Sequence, residues 1–143
     1  MATTTFSGPV QAGTVRDGSG ANVGGAVLTQ TATFTYTDTG AFATTIILPA
    51  SAQIIDQMVD VTTAWDSGTS DALEIGTSAD PDAYGDVANL QSGGRTLVDP
   101  DATQAAAIDD IGTSDVTVYL KITSSGSAAS AGAARVTITY RQN

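Results

Sequence analysis

The chain has 143 residues and a formal net charge of -10, from 15 acidic and 5 basic residues, with no histidine and no cysteine. Five isolated bases cannot neutralise a phosphate backbone, so the composition excludes a nucleic-acid partner. The missing histidine excludes a Ser-His-Asp triad and imidazole metal sites, and the missing cysteine excludes disulfides and thiolate chemistry.

Residues 1–24 are rich in Thr, Gly and Ala, and large apolar residues are sparse among them. Two interpretations are open, a disordered terminus or an extended arm that becomes ordered on a neighbouring subunit. On the second interpretation Phe6 and Val10 are the anchors. We therefore predict an N-terminal arm over 1–24 and one folded domain over 25–143.

Four segments in the first half of the domain are predicted strands. Apolar and polar residues alternate over 26–37 and 53–65, with Thr on the polar side of the first segment, which is typical of half-buried strands. Segment 42–48 ends in a continuous apolar run, so we expect both of its faces to be covered. A polar turn after Trp65 then leads into a strand at 72–75.

Two Asp-Pro-Asp-Ala repeats predict helical starts, because Asp is a good N-cap and Pro fits the first helical position. The repeat at Asp80 predicts a single turn ended by Gly85. The repeat at Asp99 predicts a short helix over 100–109. Its inward residues are expected to be Ala102, Ala105, Ala106 and Ile108.

The last two predicted strands, 116–122 and 136–140, have the clearest alternation, and we expect them to pair as a hairpin with a long loop. Six to eight strands in all predict an all-β fold, a single-domain antiparallel sandwich of jelly-roll type. Lysine, which often guards sheet edges, occurs once, at Lys121. We therefore expect neighbouring subunits to cover some edges, in a homo-oligomer, most simply a trimer.

Three kinds of chemistry compete with structural roles for the polar and aromatic residues. Paired carboxylates occur at Asp80, Asp82, Asp86 and at Asp109, Asp110, but nothing singles out a pair facing across a cleft, so no catalytic residue is predicted. Two roles are open to the clustered aspartates, calcium binding and turn capping. We favour turn capping, so no metal or cofactor is predicted. The clustered aspartates are Asp66, Asp71, Asp80, Asp82 and Asp86. An aromatic sugar-binding platform competes with core packing for Trp65, Tyr84 and Tyr119.

The chain has no apolar run long enough to cross a membrane, so no membrane partner is expected. The segment Met1–Thr5 is neither basic nor apolar, which predicts no secretory signal.

Three blocks of the sequence resemble small proteins that decorate, or cement, the capsids of tailed bacteriophages. The longest is VDVTTAWDSGTSDALEIGTSADPDAYGD, residues 59–86. The opening TFSGPV, residues 5–10, and the strand pair DVTVYLKIT and GAARVTITY, residues 115–123 and 132–140, also resemble that group.

The resemblance implies a virion protein, made and assembled in the host cytoplasm, that lies on the outer capsid surface between major capsid subunits, commonly as a trimer. It implies that the segment from Thr5 to Arg16 contacts the shell, with Thr5, Phe6, Val10 and Arg16 as contact residues. The alternatives are a head fibre, tail or other minor virion protein, or a module that binds host glycans.

Overall fold

Two antiparallel sheets of four strands face each other in the computed structural model, which describes residues 27–142. The first sheet has the order β1-β8-β3-β6 and the second the order β2-β7-β4-β5. The strands are β1 Val27–Thr35, β2 Gly40–Leu48, β3 Ala52–Thr63, β4 Ser70–Gly76, β5 Gly85–Val87, β6 Gly94–Leu97, β7 Val116–Ser125 and β8 Ala133–Gln142, and the helix is α1 Ala102–Asp109. This strand order is that of a jelly roll, so the predicted all-β sandwich is confirmed.

The core lies between the sheets and is built from the inward positions of alternating strands. In β1 the buried residues are Ala32 and Phe34, with exposed threonines between and beside them. In β7 Val118 and Leu120 are completely buried, as their alternation predicts. Burying each of these large apolar side chains stabilises the fold by about 1.5–3 kcal/mol. The positions of the apolar residues therefore decide which face of a strand points inward.

The predicted hairpin between the last two strands is wrong. β7 pairs with β2 and β4 in the second sheet, whereas β8 pairs with β1 and β3 in the first. The loop 126–132 therefore crosses between the sheets, about 10 Å apart in sandwiches of this kind. Alternation identifies the buried face of a strand, but both sheets bury their inner faces, so it cannot assign the partner strand.

The loop that crosses between β7 and β8 depends on a glycine packed against the core. Gly132 has φ +153°, and a Cβ there would lie 2.4 Å from Cδ2 of the buried Trp65 ring. We expect Gly132→Ala to lower the free energy of unfolding by about 2–4 kcal/mol, because the ring has no room to move and the backbone is strained. Urea unfolding measures this loss. Gly93→Ala is the matched control, since its nearest neighbour is a carbonyl oxygen at 3.8 Å, and an equal loss in both variants would contradict the packing explanation.

Two isoleucines, Ile47 and Ile55, are exposed on the outer faces of the sandwich. A register shift between Ile54 and Asp56 in β3 buries Ile54 and turns Ile55 outward, because a bulge inserts one residue and inverts the alternation. Ile47, in the apolar run that ends β2, is also exposed, so the expectation that both faces are covered there is wrong. Both side chains are left on the surface of the sandwich.

The helix forms where it was predicted but begins at a different cap. Its N-cap is Asp101, not Asp99, and a capping box joins Asp101 to Gln104 in both directions. Gln104 is buried and Ala107 and Ile108 are partly buried, at the spacing i, i+3, i+4 of a single helical face. The predicted inward alanines, Ala102, Ala105 and Ala106, are exposed, because a small side chain tolerates either environment and carries little positional information.

Candidate interaction surfaces

The capsid-contact residues predicted from the sequence, Thr5, Phe6, Val10 and Arg16, lie outside the described residues. The boundary predicted between arm and domain, residues 24 and 25, lies there too. The arm and its contacts therefore stay predictions.

Of the two roles open to Trp65, Tyr84 and Tyr119, a sugar-binding platform and core packing, the structure shows core packing for the first two. Trp65 and Tyr84 are each 3% exposed and belong to the core, and the Trp65 ring packs on Phe34 with ring centroids 5.6 Å apart. Burial raises the pKa of Tyr84. Only Tyr119 is part of a surface, half-buried on the outer face of the second sheet. These aromatic rings stabilise the core, and they present no shared flat surface to a sugar.

Two of the clustered aspartates, Asp66 and Asp71, accept hydrogen bonds from backbone or side-chain donors. Within residues 27–142 no group of three or more acidic residues is arranged to hold a metal ion. Asp66 accepts hydrogen bonds from the Ser130 amide and hydroxyl, both at 2.7 Å, and from the Ala131 amide at 2.9 Å. The pKa of Asp80 is raised, first by a hydrogen bond to the Asp82 carboxyl and then by desolvation and charge repulsion. The first of these aspartates is a loop clamp of the kind that turn capping predicts.

The Asp66 clamp makes the loop 126–132 sensitive to acid. The hydroxyl of Ser130, followed by the amides of Ala131 and Ser130, lowers the pKa of Asp66 below its usual value. Its stabilisation is complete above the unfolded pKa, about 3.9, and is lost as the pH falls through the lower folded value. We expect Asp66→Asn to melt below the wild type at neutral pH, with the gap narrowing as the pH falls below about 4. Melting curves over this range test it, and a gap that does not change with pH would contradict the role of the ionised carboxylate.

Four loops meet at one end of the sandwich, which we call the clamped end: 36–39, 64–69, 88–93 and 126–132. Backbone hydrogen bonds join them in pairs. The Tyr36 amide donates to the Gly132 carbonyl at 3.0 Å, and the Trp65 amide donates to the Leu90 carbonyl at 3.1 Å. These bonds hold the loops together in one layer over the core.

Asp71 lies beneath the clamped end and is completely buried. Its carboxyl accepts hydrogen bonds from the hydroxyls of Ser67, at 2.6 Å, and Ser124, and from the Gln91 side-chain amide at 3.2 Å. Its backbone carbonyl accepts from the Leu90 amide at 2.8 Å. One residue thus connects three segments of the chain. Asp71 ends a Gly-Thr-Ser-Asp motif, residues 68–71, that recurs at residues 112–115, where its counterpart Asp115 accepts a hydrogen bond from the Ala50 amide at the opposite end.

The opposite end, which we call the acidic end, consists of segments 49–51, 77–84 and 98–115. Every charged residue in these segments is an exposed aspartate. They are Asp80, Asp82, Asp99, Asp101, Asp109, Asp110 and Asp115. Much of the negative charge of the chain is therefore concentrated at one end of the sandwich.

The outer face of the first sheet carries charges of both signs, with Asp56 and Asp60 among its arginines. Arg135 forms an ion pair with Asp60 at 3.0 Å, Arg95 lies opposite Asp60 on β6, and Arg141 lies opposite Val27 and Gln53. Three of the four cations among the described residues lie on this face, and the fourth, Lys121, pairs with Glu74 on the other sheet at 2.9 Å. The rest of this outer face is largely a lattice of threonines on β1 and β8.

Exposed apolar side chains lie on the same face, near its acidic end. Ile55 is 50% exposed, Leu97 is 64% exposed, and the half-buried Met58 lies directly opposite Leu97. Arg95 lies two residues before Leu97 on β6, whereas Arg141 lies opposite Gln53, six residues along β8 from Arg135. Apolar residues mixed with arginine are the composition typical of a protein interface.

The sheet edges are protected within the chain more than the shortage of lysine predicts. On one side, the Gln30 side-chain amide donates to the Ile47 carbonyl at 2.6 Å, and its oxygen accepts from the Ile47 amide at 3.1 Å. This bridges the edge strands β1 and β2 of the two sheets. On the other side the edge strands β5 and β6 are only three and four residues long. Faces, rather than edges, are thus the large open surfaces of the sandwich.

Within residues 27–142 no helix has both the length and the apolar character needed to cross a bilayer. No protein-family model matches the chain, and no curated protein sequence matches it.

Solved structures do share the fold. A chain of the cyanophage Pam1 capsid structure is 18% identical, with a TM-score of 0.64 over 93% of this chain and 95% of that one. A chain of the acid-stable capsid of the Helicobacter pylori bacteriophage KHP30 is 15% identical, with a TM-score of 0.57 over 80% and 86%. A chain of the Ralstonia phage GP4 capsid is 17% identical, with a TM-score of 0.50 over 90% and 92%. At these identities the likeness establishes a common jelly-roll fold.

Proposed function

We propose that the chain is a structural virion protein that decorates the outer surface of a tailed-phage capsid and stabilises it by binding between major capsid subunits. The observation that carries this proposal is the match, over most of the chain, to chains of three separate phage capsid structures. The resemblance of residues 59–86 to cement proteins points in the same direction from the sequence.

The size of the matched chains favours a decorating role. Each match covers 80% or more of this chain and 86% or more of the matched chain, so the matched chains are close to it in length. The small sandwich is thus the whole matched unit, rather than one domain of a large shell subunit. This size fits a small single-domain protein that binds to an assembled capsid.

A non-enzymatic role is part of the proposal. The sequence has no histidine or cysteine, and the aspartates that invited a catalytic or metal-binding hypothesis include Asp66 and Asp71, both engaged in structural hydrogen bonds. Such a protein binds the shell tightly because many identical weak contacts are repeated over the shell surface. In this proposal the N-terminal arm, with Thr5, Phe6, Val10 and Arg16, adds contact area to each copy, and assembly takes place in the host cytoplasm.

Heating capsids with and without the protein tests the stabilising role. Capsids that lack this chain are expected to release DNA at a lower temperature, and adding the purified chain back is expected to restore the wild-type value. Equal release temperatures would contradict the cement role. They would favour the alternative of a head fibre, tail or other minor virion protein.

A further inference from the structure

We propose that the cleft between strand β3 and helix α1 binds the side chain of a lysine on the major capsid subunit. The alkyl stem of that lysine packs on the apolar walls of the cleft, and its ammonium group reaches Gln57 and Asp56. The inference rests on the proposed function for the source of the lysine, because it names a contact between the chain and the shell. Binding of an alkylammonium group in the cleft is a property of the free protein.

The cleft is a cavity of about 70 Å³ beside the acidic end. A water molecule needs roughly 10–15 Å³, so the cavity has room for several non-hydrogen atoms. Its walls include the apolar side chains of Ile54, Val98 and Ile108, and Asp56 and Gln57 supply the polar part of the lining. A largely apolar cleft with a polar group at one point fits a slender alkyl chain that ends in a charge.

Gln57 supplies the cleft with a hydrogen-bond acceptor that has no donor. The residue lines the cleft and is 2% exposed. Its Nε2 donates to the Tyr84 carbonyl at 2.7 Å, which fixes the orientation of the amide. Its Oε1 is enclosed and has no hydrogen-bond partner among residues 27–142. A buried acceptor without a donor is unfavourable, so a ligand that donates to Oε1 removes this penalty when it binds.

Asp56 gives the cleft a preference for a cation. Its side chain is exposed on the outer face of the first sheet, and the ion pairs of the described residues use Asp60 and Glu74 instead. Because the Gln57 amide nitrogen is already engaged, the carboxylate and the amide oxygen offer acceptors alone, which disfavours an anion. An ammonium group has three donors and no acceptor, and lysine carries it on a flexible four-carbon stem.

The acidic end adds an attractive field around the cleft. Asp99 directly follows Val98 of the cleft wall, Asp109 directly follows Ile108, and all the charged residues of this end are aspartates. Arg141, which lines a neighbouring groove, forms no ion pair with a described residue, and the seven aspartates of the acidic end outnumber it. Such a field concentrates cations at the entrance and speeds their association.

The composition of the chain identifies a different protein as the source of the lysine. The sequence has a single lysine, Lys121, and it pairs with Glu74 on the second sheet at 2.9 Å. A second copy of this chain therefore brings no unpaired lysine to the cleft. In the proposed function the protein that covers this surface is the major capsid subunit, so one of its lysines is the occupant.

Titration of the full chain with n-butylammonium, followed by NMR, tests the cleft without the capsid. The cation is expected to shift the side-chain amide signals of Gln57 and the methyl signals of Ile54 and Ile108. 1-Butanol is the neutral probe of matched size and should bind about tenfold more weakly. Unmoved Gln57 signals would mean that the cleft holds water alone, and equal binding of the two probes would mean that it recognises an apolar group alone. Either result would overturn the proposal.

Co-sedimentation with capsids that lack this chain tests the source of the lysine. Asp56→Asn removes the charge, and Gln57→Leu removes the acceptor and keeps a similar volume. Each is expected to weaken capsid binding about tenfold. Asp86→Asn, an exposed acid of the second sheet, is the matched control and should bind like the wild type. Asp56→Asn changes an exposed side chain, so it keeps the test decisive if melting curves show that Gln57→Leu is poorly folded.

The two experiments separate the cleft from the decorating role. Capsid binding that neither variant weakens would overturn the lysine contact and leave the proposed function intact. A wild type that does not bind capsids would overturn the proposed function and, with it, the shell as the source of the lysine. A Gln57 shift with n-butylammonium would still establish the cleft as an alkylammonium site in that case.

Discussion

Asp71→Ala is expected to lower the free energy of unfolding by about 4–6 kcal/mol, the largest loss we expect from a single polar residue of this chain. The substitution removes a completely buried carboxyl, the acceptor that the hydroxyls of Ser67 and Ser124 and the side-chain amide of Gln91 share. Hydrogen bonds to a carboxylate contribute about 1.5–3 kcal/mol each, and the three are not fully additive. The melting temperature should fall by about 15 °C or more.

Two further variants make the Asp71 result specific. Asp71→Asn keeps the shape and one acceptor oxygen but replaces the other acceptor with an amide donor, so we expect an intermediate loss. Asp86→Ala removes an exposed acid from the neighbouring strand β5 and should change stability by less than about 0.5 kcal/mol. Thermal and urea unfolding measure all three. If Asp71→Ala and Asp86→Ala behave alike, the buried carboxyl does not hold the clamped end together.

Deletion of residues 1–24 is expected to abolish capsid binding and leave the melting temperature of the domain almost unchanged. The described sandwich begins at Val27, so the deletion removes none of its strand pairings. In the proposed function the arm supplies contact area to every copy, and repeated weak contacts amplify its loss over the shell. Co-sedimentation of the purified chain with capsids that lack it measures the binding.

A full-length variant with Phe6→Ala and Val10→Ala refines the arm experiment. It keeps the length of the chain and removes the two apolar anchors, so weakened binding would assign the contact to those side chains. Thr3→Ala with Thr4→Ala is the matched control, because it changes two small residues of the same segment. Undiminished binding of the truncated chain would show that the sandwich itself contacts the shell and that the arm is dispensable.

The sequence pattern predicted the buried faces of the strands well, because apolar and polar residues alternate along a strand that has one buried face. Phe34, Leu120 and Ile138 each alternate with polar neighbours, and each is buried as the alternation requires. The pattern failed where the backbone departs from regular pairing. The bulge beside Ile55 inverts the faces of β3 without any change in composition.

The sequence pattern could not predict which strands pair or which loops lie together, because the topology of the two sheets decides both. Residues 77–84 and 98–115 are separated along the chain, yet the alternation of strands between sheets brings them to the same end, and the acidic end results from this gathering. The choice of N-cap for the helix also depends on contacts that the local pattern does not reveal. Asp99 and Asp101 are both good caps, and the side chain of Gln104 decides between them by completing a capping box.

The roles of individual aspartates were only half predictable. Turn chemistry predicted a capping role, and Asp66 does cap the loop 126–132. It gave no sign that Asp71, in the same short stretch, would be buried beneath three segments of the chain. Its donors Gln91 and Ser124 are distant in sequence, and only the folded sandwich brings them together.

Counting this chain against the major capsid protein in purified virions, by quantitative mass spectrometry, tests the central claim most directly. A protein that decorates the shell between capsid subunits should be present at a copy number of the same order as the major capsid protein. A ratio of a few copies per virion would contradict decoration and indicate a fibre or tail component. Its complete absence would contradict a virion role altogether.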